Sequence, residues 1–399
     1  MKNKITIFTG LSKLGKDVFG TAVIYQQIAH ILKLNGFKIS IVATGKVNLQ
    51  ENGIKYFVYN KYKNKKIINR SDIVVFGAYP PVNDMIYAHK KKKKIITYLW
   101  SIAPIGGLEF KDTPNIKTQK QLYSLIVDSY NKSLEMSDKI FCRDEKVKNL
   151  ILGSLISTKK TIFNSYLKNR NFNNILETAG FGISQKKPKQ KNKIFRNVIQ
   201  GITEKDFIMV WNGGVWNWHD SEYLIKIMKF IWEKNKDIKL IFQGFYNPQS
   251  KHILSQEAIK VKKNAKKHHL IGKNIFFSKK WVNYEERADY LLDSNASIVI
   301  SPNIPEANYF IKTRFYDSLW INQPIILNPH ESFSKEVADN NIGLVLGYRN
   351  ANDDAKKIIK FAKNKKLQNQ ITNNIKIYKK NLTWEKQLKP VLDFCKKIS

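Results

Sequence analysis

The chain has 399 residues, 43% of them hydrophobic, which exceeds the ~250–300 residues at which one core stops growing and predicts two domains. Two cysteines, Cys142 and Cys395, exclude a disulfide scaffold and fit a reducing compartment. The net charge of +37 invites nucleic acid or an anionic membrane as partner. Its excess is mostly Lys, in a chain also rich in Asn and Ile, and no recognition module accompanies it. A specific nucleic-acid reader is therefore not expected, whereas a peripheral contact with anionic lipid is. The start Met1-Lys-Asn-Lys runs directly into ITIF, too short for a leader, and no apolar run reaches the ~20 residues of a membrane span. The expectation is a cytoplasmic protein, peripheral at most on the inner face of a membrane.

In chain order, KITIFT predicts a first strand, a glycine-bearing loop Gly10–Gly20 follows, and a helix runs from about Thr21 to Leu34 before the strand KISIVAT. This βαβ opening places its first loop on the ligand side of a sheet, although Gly10, Gly15 and Gly20 lack the dinucleotide spacing. His30 lies within the helix pattern and reads as packing. Strands IKYFVY, DIVVFGA and KKIITYLW come next; the Lys90–Lys94 run before the last reads as a solvated face. A long helix around Lys120–Met136, the strand DKIFC and a helix over Glu145–Ile156 follow, and Asn164–Ile175 reads as helix or loop. The Pro- and Lys-rich QKKPKQKNK predicts an interdomain linker. The domains are then 1–185, a linker 186–193, a second domain 194–378, and a C-terminal helix 379–399 expected to pack back on the first.

The second half repeats the alternation: FIMVW, a helix over Ser221–Trp232, IKLIFQG, a basic helix over Gln256–Lys267, and NIFFS. Then come a helix over Glu285–Leu292, a strand over Ala296–Ile300, PIILN, a helix over Phe333–Asp339, GLVLG and further helices to Lys397. Alternating strands and helices in both halves predict an α/β protein of two doubly wound, Rossmann-like domains facing across a cleft. In such sheets ligands lie beyond the carboxyl ends of the strands. After the strand at Ala296 the loop carries Glu306, and the helix starting near Lys312 carries Arg314 and Asp317. Cations at a helix start suit a diphosphate, and carboxylates suit hydroxyls. The loop Asn212-Gly-Gly-Val-Trp-Asn-Trp-His-Asp220 lets backbone approach a ligand at Gly213 and Gly214, with Asp220 or Ser221 free to cap the helix. A tight turn with packing tryptophans is the competing reading. Glu285, Glu286 and Arg287 read as a helix-surface salt-bridge set, His219 as positioning or packing, and Glu109 as a loop carboxylate. Trp211, Trp216, Trp218 and Trp320 read as packing, and His268-His269 lacks the neighbours a zinc site needs.

WNGGVWNWHD, WVNYEERADYLL, KTRFYDSLWINQP and NLTWEKQLKPVL resemble glycosyltransferase family four, bacterial retaining enzymes of the GT-B fold. The pattern is specific in the second half and looser before Ser137. The resemblance implies Glu306 near the donor sugar, Lys312 and Arg314 near the diphosphate, Asp317 at the ribose, and Gly213 and Gly214 at the donor phosphates. It also puts Gly20 and Thr21 on the first-domain side of the donor. Departures are Tyr309 at the usual first acidic position, Asp317 for Glu, Lys312 for Arg, and Tyr98–Pro104 without the branch's carboxylates. The implied function is a retaining, metal-independent transfer from a nucleotide-diphosphate sugar to a hydroxyl of a glycan or lipid-linked acceptor, in surface polysaccharide or lipopolysaccharide synthesis. No cofactor and no metal are expected. A sugar-nucleotide 2-epimerase on the same fold and a silent nucleotide-sugar-binding relative are the alternatives.

Overall fold

The computed structural model describes residues 3–10, 14–15, 20–45, 47, 51–109, 115–159, 161–246, 254–278 and 282–398. The chain forms two units: unit 1 is Met1–Gly182 with Trp384–Ser399, and unit 2 is Ile183–Thr383.

Among the described residues unit 1 holds seven strands: β1 (Lys4–Phe8), β2 (Lys38–Ala43), β3 (Ile54–Val58), β4 (Ile73–Phe76), β5 (Lys94–Leu99), β6 (Lys139–Cys142) and β7 (Leu176–Thr178). They pair in parallel in the order β3-β2-β1-β4-β5-β6-β7. β7 falls in the stretch expected to lead from helix or loop straight to the boundary. At three residues it is too short to show a period. His30 is not packed: its Nδ1 lies 2.8 Å from Glu51 Oε1 and its side chain is 44% exposed. The reason is its place on the helix Gly20–Leu34, whose buried stripe (Val23, Ile24, Ile28, Ile31) passes beside it. The C-terminal residues close unit 1. The Phe181 and Trp384 rings lie 4.5 Å apart, and Phe394 meets Phe141 edge-on at 6.1 Å. A Cβ on Gly182 would stand 2.5 Å from the Trp384 Cα, so only glycine fits the crossing.

Unit 2 holds β8 (Phe207–Asn212), β9 (Ile238–Gln243), β10 (Ile275–Phe277), β11 (Ala296–Val299), β12 (Ile325–Leu327) and β13 (Gly343–Val345), parallel in the order β10-β9-β8-β11-β12-β13. β8, β9 and β11 are buried throughout, as expected of strands covered on both faces. The helix Ser221–Lys234 lies on this sheet through Leu224, Ile225, Ile227, Met228 and Ile231, and Asp220 caps it by accepting from the Tyr223 amide at 2.9 Å. The segment expected as a linker is tied to unit 2. The Lys191 amide donates to Asp289 Oδ1 at 2.6 Å, and Trp320 Nε1 to the Lys186 carbonyl at 2.8 Å. The chain builds β8, β9 and β10 outward on one side, then crosses back to place β11 on the other side of β8. The strand order therefore reverses between β8 and β11, where a crevice opens at the carboxyl ends. The same reversal falls between β1 and β4 in unit 1.

Candidate active site

The reversal point of unit 2 brings together residues from three strand ends. From β8 come Asn212, Gly213 and Gly214; from β11 come Glu306, Lys312, Arg314 and Asp317; from β12 comes Glu331. The Asp220 amide donates to the Ile300 carbonyl at 3.0 Å, which fastens the glycine loop to the end of β11. Glu306 does not sit in an open loop. It lies in the first turn of a short helix, Pro305–Tyr309, started by Pro305.

Lys312 immediately precedes the helix Thr313–Trp320. Its Nζ is 2.9 Å from Glu306 Oε2 and 3.9 Å from Glu331 Oε2, and all three side chains are under 10% exposed. The second Glu331 oxygen accepts from the Ser301 hydroxyl. One buried cation thus faces two buried carboxylates, an arrangement that lasts only where pairing offsets desolvation.

Arg314 is buried over the face of Trp211, its Cζ 4.8 Å from the ring centroid, and its Nη2 donates to the Gly214 carbonyl at 3.0 Å. Its Nη1 is buried and has no partner. Burial pulls this guanidinium down to about 10, against the pull of Glu331, Tyr290, Asp317 and Glu306. A buried donor without an acceptor costs ~1–3 kcal/mol, so it calls for an explanation.

Asp317 accepts from Arg287 Nε at 2.9 Å, and its side chain is 18% exposed. Burial raises its pKa despite Arg287 and Arg314. Arg287 is therefore not part of a surface set with Glu285 and Glu286. It is buried between Tyr284 and Trp320, with its Cζ 3.7 Å and 4.2 Å from their centroids, and its charge answers Asp317. Trp320 is correspondingly a stacking surface for Arg287 as well as packing.

Gly213 has φ +107°, which favours glycine. Its amide donates to the Gln243 carbonyl at 2.7 Å, continuing the β8–β9 ladder, so that amide is already committed. Gly214 stays clear of Cβ because the Trp216 ring stands 2.7 Å from where one would be. His219 is buried, edge-on to Trp211 at 4.8 Å. Its Nδ1 accepts from the Trp216 amide at 2.9 Å, which leaves the ring proton on Nε2. Burial, Arg314 and Lys312 together hold its pKa well below the usual value, so the ring is neutral. Nε2 is buried without a partner, as is Asn212 Oδ1.

In unit 1, Gly20 opens the helix Gly20–Leu34 and Thr21 follows in its first turn. The Thr21 side chain and most of the Gly10–Gly20 loop lie outside the described residues. Gly10 has φ +60°, and a Cβ there would stand 2.5 Å from the Tyr79 carbonyl oxygen, so the ends of β1 and β4 approach through backbone alone. Glu109 is a loop carboxylate, as expected, and it is buried, two positions past the short helix Ala103–Gly107. Among the described residues no group of three His, Cys, Asp or Glu is placed to hold a metal ion, and no helix is long and apolar enough to cross a membrane.

Sequence reasoning missed Arg287, Glu331 and the orphan His219 donor. Only Glu331 carried a signal, as an acidic residue four positions past the buried strand IIL.

Residues 193–378 match the family model described as glycosyl transferases group 1. No curated protein matches the chain. Among solved structures it is similar to the sucrose-phosphate synthase of Thermosynechococcus elongatus, with 11% identity, TM-score 0.67, and 100% of this chain and 99% of that one covered. A glycosyltransferase of Rickettsia africae shows 15% identity, TM-score 0.63, and coverage of 100% and 98%. Anabaena HepE in complex with UDP-glucose shows 9% identity, TM-score 0.66, and coverage of 99% and 100%. The fold is that of the GT-B glycosyltransferases, and the match to the group 1 model lies within unit 2.

Proposed function

We propose that the chain is a retaining glycosyltransferase of the family-four kind. It would move a sugar from a nucleotide-diphosphate donor to a hydroxyl of a glycan or lipid-linked acceptor, in surface polysaccharide or lipopolysaccharide synthesis and in peripheral contact with an anionic membrane. The observation that carries this reading is Arg314. Its guanidinium is buried at the strand-order reversal with one nitrogen fixed on the Gly214 carbonyl and the other unpartnered. A fixed, desolvated donor of this kind suits an oxyanion that gains charge during reaction. The likeness to HepE, whose structure contains UDP-glucose, supports a nucleotide sugar as the donor.

In this mechanism the bond from the anomeric carbon to the leaving phosphate loosens towards an oxocarbenium-like state. The leaving phosphate oxygen takes the acceptor's proton as the new glycosidic bond forms on the same face. Arg314 and Lys312 stabilise the charge growing on the diphosphate, which removes the need for a metal. Glu306 and Glu331 hold Lys312 in place. The Gly214 amide, rather than that of Gly213, serves the phosphates. Asp317, with one oxygen held by Arg287, offers the other to the ribose.

A thermal-shift panel of nucleoside diphosphates and their sugars tests the donor. The matching base at a hundred times its dissociation constant adds ~2.7 kcal/mol of stability. NMR of the product anomer tests retention. Absence of any shift across the panel, with no sugar transferred, overturns the reading; consumption of the nucleotide sugar without an acceptor points to the epimerase.

A further inference from the structure

The helix Ile162–Lys168 of unit 1 buries none of its residues. So short a helix gains little from its own hydrogen bonds, and docking of an apolar face normally holds it. Its apolar face is turned outward instead. Phe163 is 65% exposed, Leu167 67% and Tyr166 39%, and the spacing i, i+3, i+4 puts them on one side. The Phe163 and Tyr166 rings stack at 6.4 Å, and Tyr166 leans on Phe172 at 5.7 Å, so the face is pre-arranged. Ile156, in the last turn of the helix Glu145–Thr158, adds a further side chain at 62% exposure.

The charge around this face has one sign. From residue 146 to 176 the sequence has no Asp or Glu and six cations, Lys146, Lys148, Lys159, Lys160, Lys168 and Arg170. Lys159 is used internally, donating to the carbonyls of Leu134, Glu135 and Ser137, while Lys168 and Arg170 are exposed. Glu145 and Glu177, the carboxylates that flank this segment, face Lys148 at 3.5 Å and Lys139 at 2.6 Å.

We propose that this face, Ile156, Phe163, Tyr166 and Leu167 flanked by Lys168 and Arg170, docks unit 1 on an anionic lipid bilayer. A second copy would oppose cation to cation across a self-complementary contact. A polyanionic chain would answer the cations and leave Phe163 and Leu167 in water. A bilayer of anionic lipid takes both, with rings and aliphatic side chains at the acyl boundary and cations at the phosphates. This assignment rests on the membrane contact proposed above but is tested apart from the transfer reaction, since binding is read on the full chain without donor or acceptor.

The experiment is co-sedimentation of the full chain with vesicles of phosphatidylcholine alone or containing about one-third phosphatidylglycerol, at ionic strength of about 0.15 M. Binding to the mixed vesicles only is expected. The double variant Phe163→Ser/Leu167→Ser should bind them at least about tenfold more weakly. Lys168→Glu/Arg170→Glu should weaken binding too, with the melting temperature of both variants unchanged. Wild-type binding by the Ser variant overturns the proposal and leaves only general attraction to a basic chain. So does a concentration-dependent dimer, by gel filtration, that the Ser variant abolishes.

Discussion

At the ends of β8, β11 and β12, unit 2 buries Lys312, Arg314, Glu306 and Glu331 in one network of charge. At the ends of β1 and β4, the described residues of unit 1 bring together backbone at Gly10 and Tyr79, and Gly77 against the Tyr25 hydroxyl. Unit 1 also carries thirteen of the eighteen exposed large hydrophobic side chains among the described residues, Phe163 and Leu167 included. Two sheets of the same design thus meet their surroundings differently. One accepts the desolvation of charge to preorganise a site, and the other brings backbone close together and exposes apolar surface. Buried charge at a strand-order reversal is where a ligand's own charge can complete the pairing.

The sharpest way to break this contrast is Glu306→Gln, compared with Glu135→Gln in unit 1. Glu306 pairs with buried Lys312, so its loss should cost ~3–5 kcal/mol and several degrees in melting temperature. Glu135 pairs with Lys132 in solvent, and its variant should melt with wild type. A nucleoside diphosphate should recover part of the Glu306→Gln loss by answering Lys312. Equal melting of the two variants would erase the distinction.

Next in size is Arg314→Ala, expected to lower turnover ~100-fold or more, equivalent to ~2.7–4 kcal/mol of transition-state stabilisation. Arg314→Lys should recover little, because one ammonium cannot both hold the Gly214 carbonyl and present a second donor. Steady-state transfer assays on variants with native circular dichroism check this. Unchanged turnover would remove Arg314 from the chemistry.

The architecture was legible where the signal is local. FIMVW is apolar on both faces and reads as a covered strand, and the basic helix expected over Gln256–Lys267 spans those residues. The charged stretch 306–317 could also be found, because it follows a buried strand directly. What was not legible is pairing across distance. Arg287 beside two glutamates looks like a surface pair, and only the crossover into β11 brings it against Asp317, thirty residues on. Glu331 reaches Lys312 from a different strand end. The Gly213 amide was expected at the phosphates, but strand pairing claims it for Gln243.

A smaller effect concerns His219, which the fold keeps neutral. Below its ordinary pKa of 6.5 the unfolded chain takes up a proton that the folded ring refuses. Stability from this group is therefore full above pH 6.5 and falls as the pH drops below it, by up to ~1.4 kcal/mol per pH unit. His219→Phe keeps a ring against Trp211 and should flatten the slope between pH 6.5 and 5, measured by urea unfolding. An unchanged slope would mean that His219 is protonated in the fold. Then the site would carry one cation more than the contrast between the units assumes.

The smallest expected effect lies at the end of β13. Tyr348 has φ +57°, a region that costs a bulky residue ~1–3 kcal/mol unless its surroundings enforce it. Several contacts do so. The Gly347 and Tyr348 amides donate to Asp354 at 2.7 and 2.8 Å, the ring lies 4.6 Å from Tyr223 and 5.0 Å from His330, and the hydroxyl bonds Asp220. Asp220 in turn caps the helix that follows the glycine loop. Tyr348→Phe keeps the ring and the strained backbone but removes the bond to Asp220, at ~1 kcal/mol and a few degrees of melting temperature. If this clasp positions the glycine loop, KM for the donor should rise while kcat holds. A variant that melts lower with unchanged KM would confine Tyr348 to stability, and the buried charges of β8, β11 and β12 would then account for donor binding without help from β13.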